Sequence, residues 1–215
     1  LIIEKLSSKS LNGALLDNDF SKPQSFHDRA VSRSGGIGCF LSLIIFLIIY
    51  FLLYSEVLYA YFFVSLSLFL IGYLDDNKIK VSPNLRLTLM TISIGLFLTI
   101  FSVRIENVDL VFLNILLENT IISIFFVLLC FLFIINGANL IDGFNGLLAI
   151  NLIIINSILL FVNLKYEHLE FSFLLTGQII ILISFLIFNF PKAKIFLGDS
   201  GAYLIGGLTA LNVIY

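Results

Sequence analysis

The chain has 215 residues, of which 60% are hydrophobic and only 12% are charged, whereas a soluble domain carries about 25% charged residues. A transmembrane helix needs about 20 apolar residues, so this length allows about seven spans and leaves no room for a separate soluble catalytic domain. The formal net charge of −2 provides no basic field, which argues against nucleic acid as a partner. Composition therefore predicts an all-α fold, a polytopic transmembrane helical bundle.

Seven apolar runs stand out in windows of about 19 residues, and each predicts a transmembrane helix. They cover residues 37–54, 58–74, 85–103, 120–135, 146–162, 171–188 and 201–215. The last run stops at the final residue, and the chain opens on Leu1 rather than on Met. We therefore expect residues 1–215 to form a single integral-membrane domain that is incomplete at both ends.

Basic residues predict which helix ends face the cytoplasm, because Lys and Arg accumulate on that side of a membrane. Ten of the twelve Lys and Arg residues fall on one face of an alternating topology, and only Arg104 and Lys165 fall on the other. The face with ten basic residues is therefore predicted to be cytoplasmic, with the lipid bilayer surrounding the helices.

The same topology brings four carboxylates from three loops to the predicted cytoplasmic face. They are Asp75, Asp76, Asp142 and Asp199. Helix ends from several spans would surround a shallow cleft there, open to cytosolic solutes and to lipid that enters sideways. This concentration of negative charge is the first indication of a functional site.

Asp75 and Asp76 directly follow the second predicted span, and Arg86 closes the loop before the third. Adjacent carboxylates repel each other, so a divalent cation or a nearby base stabilises them, and oxygen-rich sites suit Mg²⁺ or Mn²⁺. A solvated loop beside the membrane is the alternative explanation for this short charged motif.

A second polar segment lies between the fourth and fifth predicted spans and contains Asn136, Asn139, Asp142 and Asn145. Polar groups at the edge of the hydrocarbon must find partners or water. Helix capping explains some of them. If the helix continues through this segment, Asn136, Asn139 and Asp142 share one face and can offer oxygens to one metal ion or ligand.

A third polar segment leads into the last predicted span and contains Lys192, Lys194, Asp199 and Ser200. Asp199 and Ser200 lie where an N-cap belongs, so capping is one explanation for them. A helix N-terminus also attracts phosphate, and a carboxylate with lysines nearby suits a metal-bound diphosphate.

A fourth polar segment, which includes His27 and Arg33, precedes the first predicted span. Basic residues at a cytoplasmic helix entry are normally topology signals or contacts to lipid headgroups. Binding of a phosphate group is the alternative, and His27 alone is weak evidence for a general base.

In this order, and separated by apolar spans, these segments resemble the polyprenyl-phosphate N-acetylhexosamine-1-phosphate transferase superfamily, also called glycosyltransferase family 4. Residues 72–76 with Arg86 resemble its Asp-Asp motif, and residues 136–146 resemble its Asn- and Asp-rich motif. Residues 196–201 resemble its Gly-Asp motif, and residues 27–36 resemble its N-terminal signature. The resemblance covers nearly the whole chain.

The resemblance implies transfer of a sugar-1-phosphate from a UDP-activated amino sugar to undecaprenyl phosphate, with release of UMP, for synthesis of cell-envelope polysaccharide. It also implies a multi-pass protein of the bacterial inner membrane whose active site faces the cytoplasm. The implied cofactor is Mg²⁺, with Mn²⁺ as a substitute. The oligomeric state is left open, a homodimer included.

Roles for individual residues also follow from the resemblance. Asp75, Asp76 and Asp199 are the expected catalytic residues, and Asp199, Asn139 and Asp76 are the expected metal ligands. The resemblance further implies a set of substrate-binding residues, namely Asn136, Asp142, Asn145, Arg86, Lys194, His27 and Arg33. The sequence does not separate the roles of Asp75 and Asp76, nor direct attack by the lipid phosphate from a covalent aspartyl intermediate.

Two other classes of membrane protein fit the sequence less well. A secondary transporter places ionisable residues near the bilayer midplane on broken helices, whereas these predicted spans are nearly free of charge and the acids cluster at their ends. A non-catalytic membrane protein needs none of these polar motifs.

Overall fold

The computed structural model describes residues 15–17, 31–77, 81–105, 108 and 110–214. These residues form eight helices and one short strand pair, which confirms the all-α membrane bundle. The helices are α1 Gly35–Tyr54, α2 Tyr59–Asp76, α3 Pro83–Ile100, α4 Val111–Leu117, α5 Thr120–Ile141, α6 Leu147–Lys165, α7 Leu169–Asn189 and α8 Gly198–Ile214.

Five of the described helices are long and apolar enough to cross a membrane, namely α1, α3, α5, α6 and α7. The seven predicted spans included two more, which correspond to α2 and α8. Helix α2 carries Asp75 and Asp76 in its last turn, which lowers its mean hydropathy, and α8 has only 17 residues. The chain is a multi-pass membrane protein with fewer full-length spans than its apolar runs predicted.

Helix α8 forms the centre of the bundle. Every residue from position 200 to position 212 is buried, and the helix packs against α1, α2, α5 and α6. Small residues permit this enclosure: a Cβ added to Gly206 would lie 2.8 Å from the Ala138 Cβ on α5, and one added to Gly207 would overlap Leu68 on α2. Lipid provides no hydrophobic driving force for helix association, so the close packing that small residues permit stabilises these contacts instead.

Helix α5 is longer than its apolar run predicted. The run ends at residue 135, but the helix continues to Ile141, and the backbone N–H of Asp142 donates to the carbonyl of Ala138 over 3.1 Å. Asn136 and Asn139 are therefore helical, as the shared-face interpretation required. Helix α4, with seven residues, had not been predicted.

A short strand pair ties the segment before α1 to the segment before α8. Strand β1 (Leu16–Asp17) pairs antiparallel with β2 (Val31–Ser32), and Ser32 also forms a parallel bridge with Ile195. The Phe196 N–H then donates to the carbonyl of Ser32 over 2.8 Å. The sequence had predicted no strand, because two-residue strands leave no alternating pattern.

Candidate active site

Arg86 joins two carboxylates that come from different helices. Its Nη1 lies 2.6 Å from Asp75 Oδ2 and 3.1 Å from Asp199 Oδ2. Helix α2 supplies Asp75, the first turns of α3 supply Arg86, and the N-terminus of α8 supplies Asp199. All three side chains are partly exposed, so the group lies at one end of the bundle and is accessible from outside it.

Asp76 lies beside this group but is almost completely buried. Its Oδ1 accepts the backbone N–H of Asp199 over 3.0 Å, and its Oδ2 accepts that of Ser200 over 2.9 Å. The carboxylate thus satisfies N–H groups at the N-terminus of α8, where negative charge is favoured. Asp76 therefore caps α8, whereas the carboxylate of Asp199 is directed to Arg86, so the capping explanation for Asp199 is wrong.

Two glycines allow α2 and α8 to approach closely enough for this cap. Gly198 has a φ of 75°, in the left-handed region, and a Cβ there would lie 2.6 Å from Asp76 Oδ2. A Cβ on Gly72 would lie 2.5 Å from the backbone carbonyl carbon of Asp199. The carboxylates meet because no side chain separates the two backbones.

Asp142 ends α5 and belongs to the same electrostatic cluster. Burial, followed by the charges of Asp199 and Asp76, raises its pKa to about 8, and Arg33 opposes them. The guanidinium of Arg33 also lies 3.8 Å from Asp76 Oδ1. The three loops that carry the carboxylates therefore converge here, as the membrane topology had predicted, and the segment before α1 joins them through Arg33.

Asn139 reaches the cluster through a tyrosine. Its Nδ2 donates to the hydroxyl oxygen of Tyr203 over 3.3 Å. Tyr203 is buried on α8, four residues after Asp199, and the charges of Asp199, Arg86, Asp75 and Asp76 all act on its hydroxyl. The amide of Asn139 is thus bonded to a residue one helical turn after Asp199.

Three of the other predicted substrate-binding residues make no described contact with the cluster. Asn136 Nδ2 donates to the carbonyl of Leu132 in its own helix over 2.7 Å, and Asn145 Nδ2 donates to the carbonyl of Pro191 over 3.1 Å. Lys194 is exposed, and no contact among the described residues joins its side chain to the carboxylates. His27 lies outside the described residues.

Sequence reasoning missed Asn189, which links two of the polar segments. Its Oδ1 accepts the backbone N–H of Gly146 and its Nδ2 donates to the carbonyl of Ile195 over 2.9 Å. Asn189 is buried at the end of α7. A buried amide that ends an apolar helix must be satisfied by protein groups, and this was the available signal. Tyr203 was missed as well, although its spacing of one turn from Asp199 indicated it.

The donors suit Mg²⁺ bound together with a substrate. Within the described part of the chain, no three His, Cys, Asp or Glu side chains form a metal centre by themselves. Mg²⁺ usually takes one or two carboxylates and completes its shell with water and substrate phosphates. Asp199 and Asn139 can supply such oxygens. Asp76 has less capacity left, since both of its oxygens accept backbone N–H groups.

These features define a class: a polytopic α-helical membrane protein with a cluster of carboxylates, bridged by an arginine, at one end of its bundle. Residues 57–215 match the family described as glycosyl transferase family 4. The chain belongs to that family.

Two relatives illustrate the similarity. An undecaprenyl-phosphate alpha-N-acetylglucosaminyl 1-phosphate transferase of Thermotoga maritima is 30% identical over 190 residues, which is 88% of this chain and 54% of the relative. A phospho-N-acetylmuramoyl-pentapeptide-transferase of Dictyoglomus turgidum is 36% identical over 190 residues, or 80% of this chain and 57% of the relative. The chain spans about half the length of the curated relatives it matches.

Proposed function

We propose that the protein transfers a sugar-1-phosphate from a UDP-activated amino sugar to undecaprenyl phosphate at the cytoplasmic membrane surface and releases UMP. The observation that carries this proposal is the group formed by Asp75, Arg86 and Asp199 at the end of a membrane bundle. A lipid phosphate and a water-soluble nucleotide sugar can meet only at such a boundary. The names of both relatives describe transferases of a phosphorylated N-acetyl sugar group, and one of them names undecaprenyl phosphate.

The proposed reaction balances as a phosphoryl transfer. An oxygen of the lipid phosphate attacks the β-phosphorus of the donor, a new phosphorus–oxygen bond forms, and the bond from that phosphorus to the bridging oxygen breaks. The bridging oxygen leaves with UMP and carries the electron pair. No net proton transfer is needed, because the attacking phosphate is already anionic, so positioning and charge stabilisation supply most of the catalysis.

The side chains of the cluster have separate tasks in this proposal. Arg86 offers guanidinium donors to phosphate oxygens, and Asp75 and Asp199 hold that guanidinium in place. Asp76 anchors the N-terminus of α8 and thereby fixes the position of Asp199. Mg²⁺, held by Asp199 and Asn139, would neutralise charge on the donor diphosphate.

The cytoplasmic orientation is supported by the distribution of basic residues. Arg33, Arg86 and Lys194 belong to segments at the same end of the bundle as the carboxylates. Arg104 follows the end of α3 and Lys165 ends α6, so both belong to the opposite end. Positive charge on the site side is the pattern of a cytoplasmic face.

An assay with the full-length protein tests this function. Membranes that contain it are incubated with undecaprenyl phosphate and with either radiolabelled UDP-N-acetylglucosamine or radiolabelled UDP-N-acetylmuramoyl-pentapeptide, with Mg²⁺ or with excess chelator. We expect a labelled lipid with one of the two donors and with Mg²⁺ only. No labelled lipid from either donor would refute the proposal, and full activity in chelator would refute its metal requirement.

A transporter is the second candidate, and the position of the charges disfavours it. The described carboxylates of the cluster lie at helix ends, whereas the interior of the bundle contains an uncharged network. In that network Asn212 bonds to Tyr61, Asn156 and Gln178. Buried amides without an ionisable partner provide no coupling-ion site of the usual kind.

A further inference from the structure

Tyr203 has no role in the reaction as described so far, yet it lies on α8 one helical turn after Asp199, and the charges of the cluster act on it. Its side chain is 1% exposed, and its hydroxyl oxygen accepts a hydrogen bond from Asn139 Nδ2. A buried hydroxyl inside a membrane bundle is retained at a cost unless it has a polar partner. Asn139, on α5, is that partner, so the bond joins α5 to α8 at the level of the site.

The orientation of an asparagine amide decides what it can bind. One end is a carbonyl oxygen, which accepts, and the other is an NH₂ group, which only donates. If the amide of Asn139 were reversed, its NH₂ group would face the site and repel a cation. A group that fixes the orientation of the amide therefore decides whether Asn139 can serve as a metal ligand.

The charges around Tyr203 favour the observed orientation. A tyrosine hydroxyl can either donate or accept. Asp199 acts on this hydroxyl most strongly, and Asp75 and Asp76 add to its effect, while Arg86 opposes them. Net negative charge favours an O–H proton that points toward the carboxylates. The hydroxyl lone pair is then left for the N–H of Asn139.

We infer that Tyr203 is a positioning residue that turns the carbonyl oxygen of Asn139 toward the carboxylate cluster, where that oxygen serves a divalent cation. This inference rests on the proposed function, because it assigns the orientation of a ligand that the proposed reaction requires. Tyr203 itself touches neither the metal nor the substrate. Outer partners of metal ligands typically affect metal affinity by about 10- to 100-fold.

The test measures binding of Mn²⁺ alone to the purified full-length protein, from the EPR signal of the free ion. Tyr203→Phe removes only the hydroxyl and should weaken Mn²⁺ binding about tenfold. The matched control is Tyr61→Phe, which removes another buried hydroxyl, one that donates to Asn212 over 3.0 Å in the uncharged network. The control should bind Mn²⁺ within about twofold of the unchanged protein.

The same substitution made in the Asn139→Ala variant distinguishes a positioning role of Tyr203 from general damage to the fold. In Asn139→Ala the amide is absent, so adding Tyr203→Phe should weaken Mn²⁺ binding by less than about twofold further. This arm remains informative if Tyr203→Phe alone expresses poorly, because Asn139→Ala on its own must also weaken binding about tenfold.

Four results would count against the inference. Unchanged Mn²⁺ binding in Tyr203→Phe, or an equal loss with and without Asn139, would overturn the positioning role while sugar-phosphate transfer by the unchanged protein still supports the proposed function. Unchanged binding in Asn139→Ala would overturn the role too. If the unchanged protein neither binds Mn²⁺ nor transfers sugar-phosphate, the proposed function and the inference both fail.

Discussion

At the scale of single residues, the adjacent carboxylates of Asp75 and Asp76 have different environments. Asp75 is partly exposed and paired with Arg86, whereas Asp76 is buried and bonded to the backbone of α8. Asp199 is also paired with Arg86 and is not needed as a cap. In the proposed reaction Asp75 and Asp199 therefore hold Arg86, whereas Asp76 supports Asp199 by anchoring α8.

Asp199→Asn tests the role of this carboxylate. The amide nearly preserves shape but removes a charge, and a neutral oxygen holds a divalent ion less tightly. We expect normal expression and membrane insertion, transfer slower by about tenfold or more, and a raised Mg²⁺ requirement. Activity measured across a Mg²⁺ titration checks this. Turnover and Mg²⁺ dependence equal to those of the unchanged protein would remove Asp199 from the list of ligands.

Asp142 gives the metal-free protein a pH-dependent stability. Its pKa is raised from 3.8 to about 8, mainly by burial. Between these values the folded protein keeps a proton that the unfolded chain releases, so stability falls as pH rises through this window. The Asp142→Asn variant has no carboxyl group at this position, so it does not lose stability in this way as pH rises.

We therefore expect Asp142→Asn to raise the melting temperature in EDTA, more at about pH 8.5 than at about pH 5. Thermal unfolding in detergent at several pH values checks this expectation. A gain that is equal at all pH values would mean that Asp142 is not protonated in the folded protein.

Residues of the site were predictable where membrane topology alone decides their position. Asp75 and Asp199 follow from counting spans, because successive helices alternate in direction. The cap formed by Asp76 was not predictable, since its partner Ser200 lies 124 positions away and is bonded through the backbone. The bond between Asn139 and Tyr203 depends on the rotation of two helices about their axes, which an apolar run does not specify.

At the scale of helices, the contact between α2 and α8 positions the site, and Gly72 permits it. A Cβ at this position would meet the backbone of Asp199 and Ser200 at 2.5 Å, and backbone cannot move aside as a flexible side chain can. Gly72→Ala should destabilise the protein by about 2 kcal/mol and reduce transfer, because the N-terminus of α8 is displaced.

Gly95→Ala is the matched control for this substitution. Gly95 lies in α3, and a Cβ there has open space around it. Alanine has the higher helix propensity, so the control should be neutral or stabilising by about 1 kcal/mol. Melting temperature and transfer are measured for both variants. If the two substitutions have the same effect, the close approach of α2 and α8 does not position the site.

The apolar runs predicted the positions of seven helices but not all of their ends or their status as spans. Helix α5 extends past its apolar run because polar residues such as Asn136 and Asn139 do not by themselves end a helix, and the backbone hydrogen bonds continue to Asp142. Helix α8 was predicted as one span among seven, yet it is the enclosed centre of the bundle. Hydropathy measures apolar content and cannot separate a lipid-facing helix from a protein-facing one.

At the scale of the whole molecule, the fold separates two polar regions along the bundle. The charged cluster lies at one end, and the uncharged network around Asn212 lies inside. Among the described helices, the seven long ones (α1 to α3 and α5 to α8) alternate in direction, so each brings one end to the charged side. This arrangement supports chemistry at the membrane surface, where a lipid phosphate and a soluble donor are both available.

In the proposed reaction, phosphate moves together with the sugar. The most direct measurement uses the donor UDP-sugar labelled with radioactive phosphorus in its β position, incubated with undecaprenyl phosphate, Mg²⁺ and the full-length protein. We expect the label to pass into the lipid extract while unlabelled UMP appears in the water phase. Label that stays in the water phase as UDP, with sugar alone in the lipid, would contradict it.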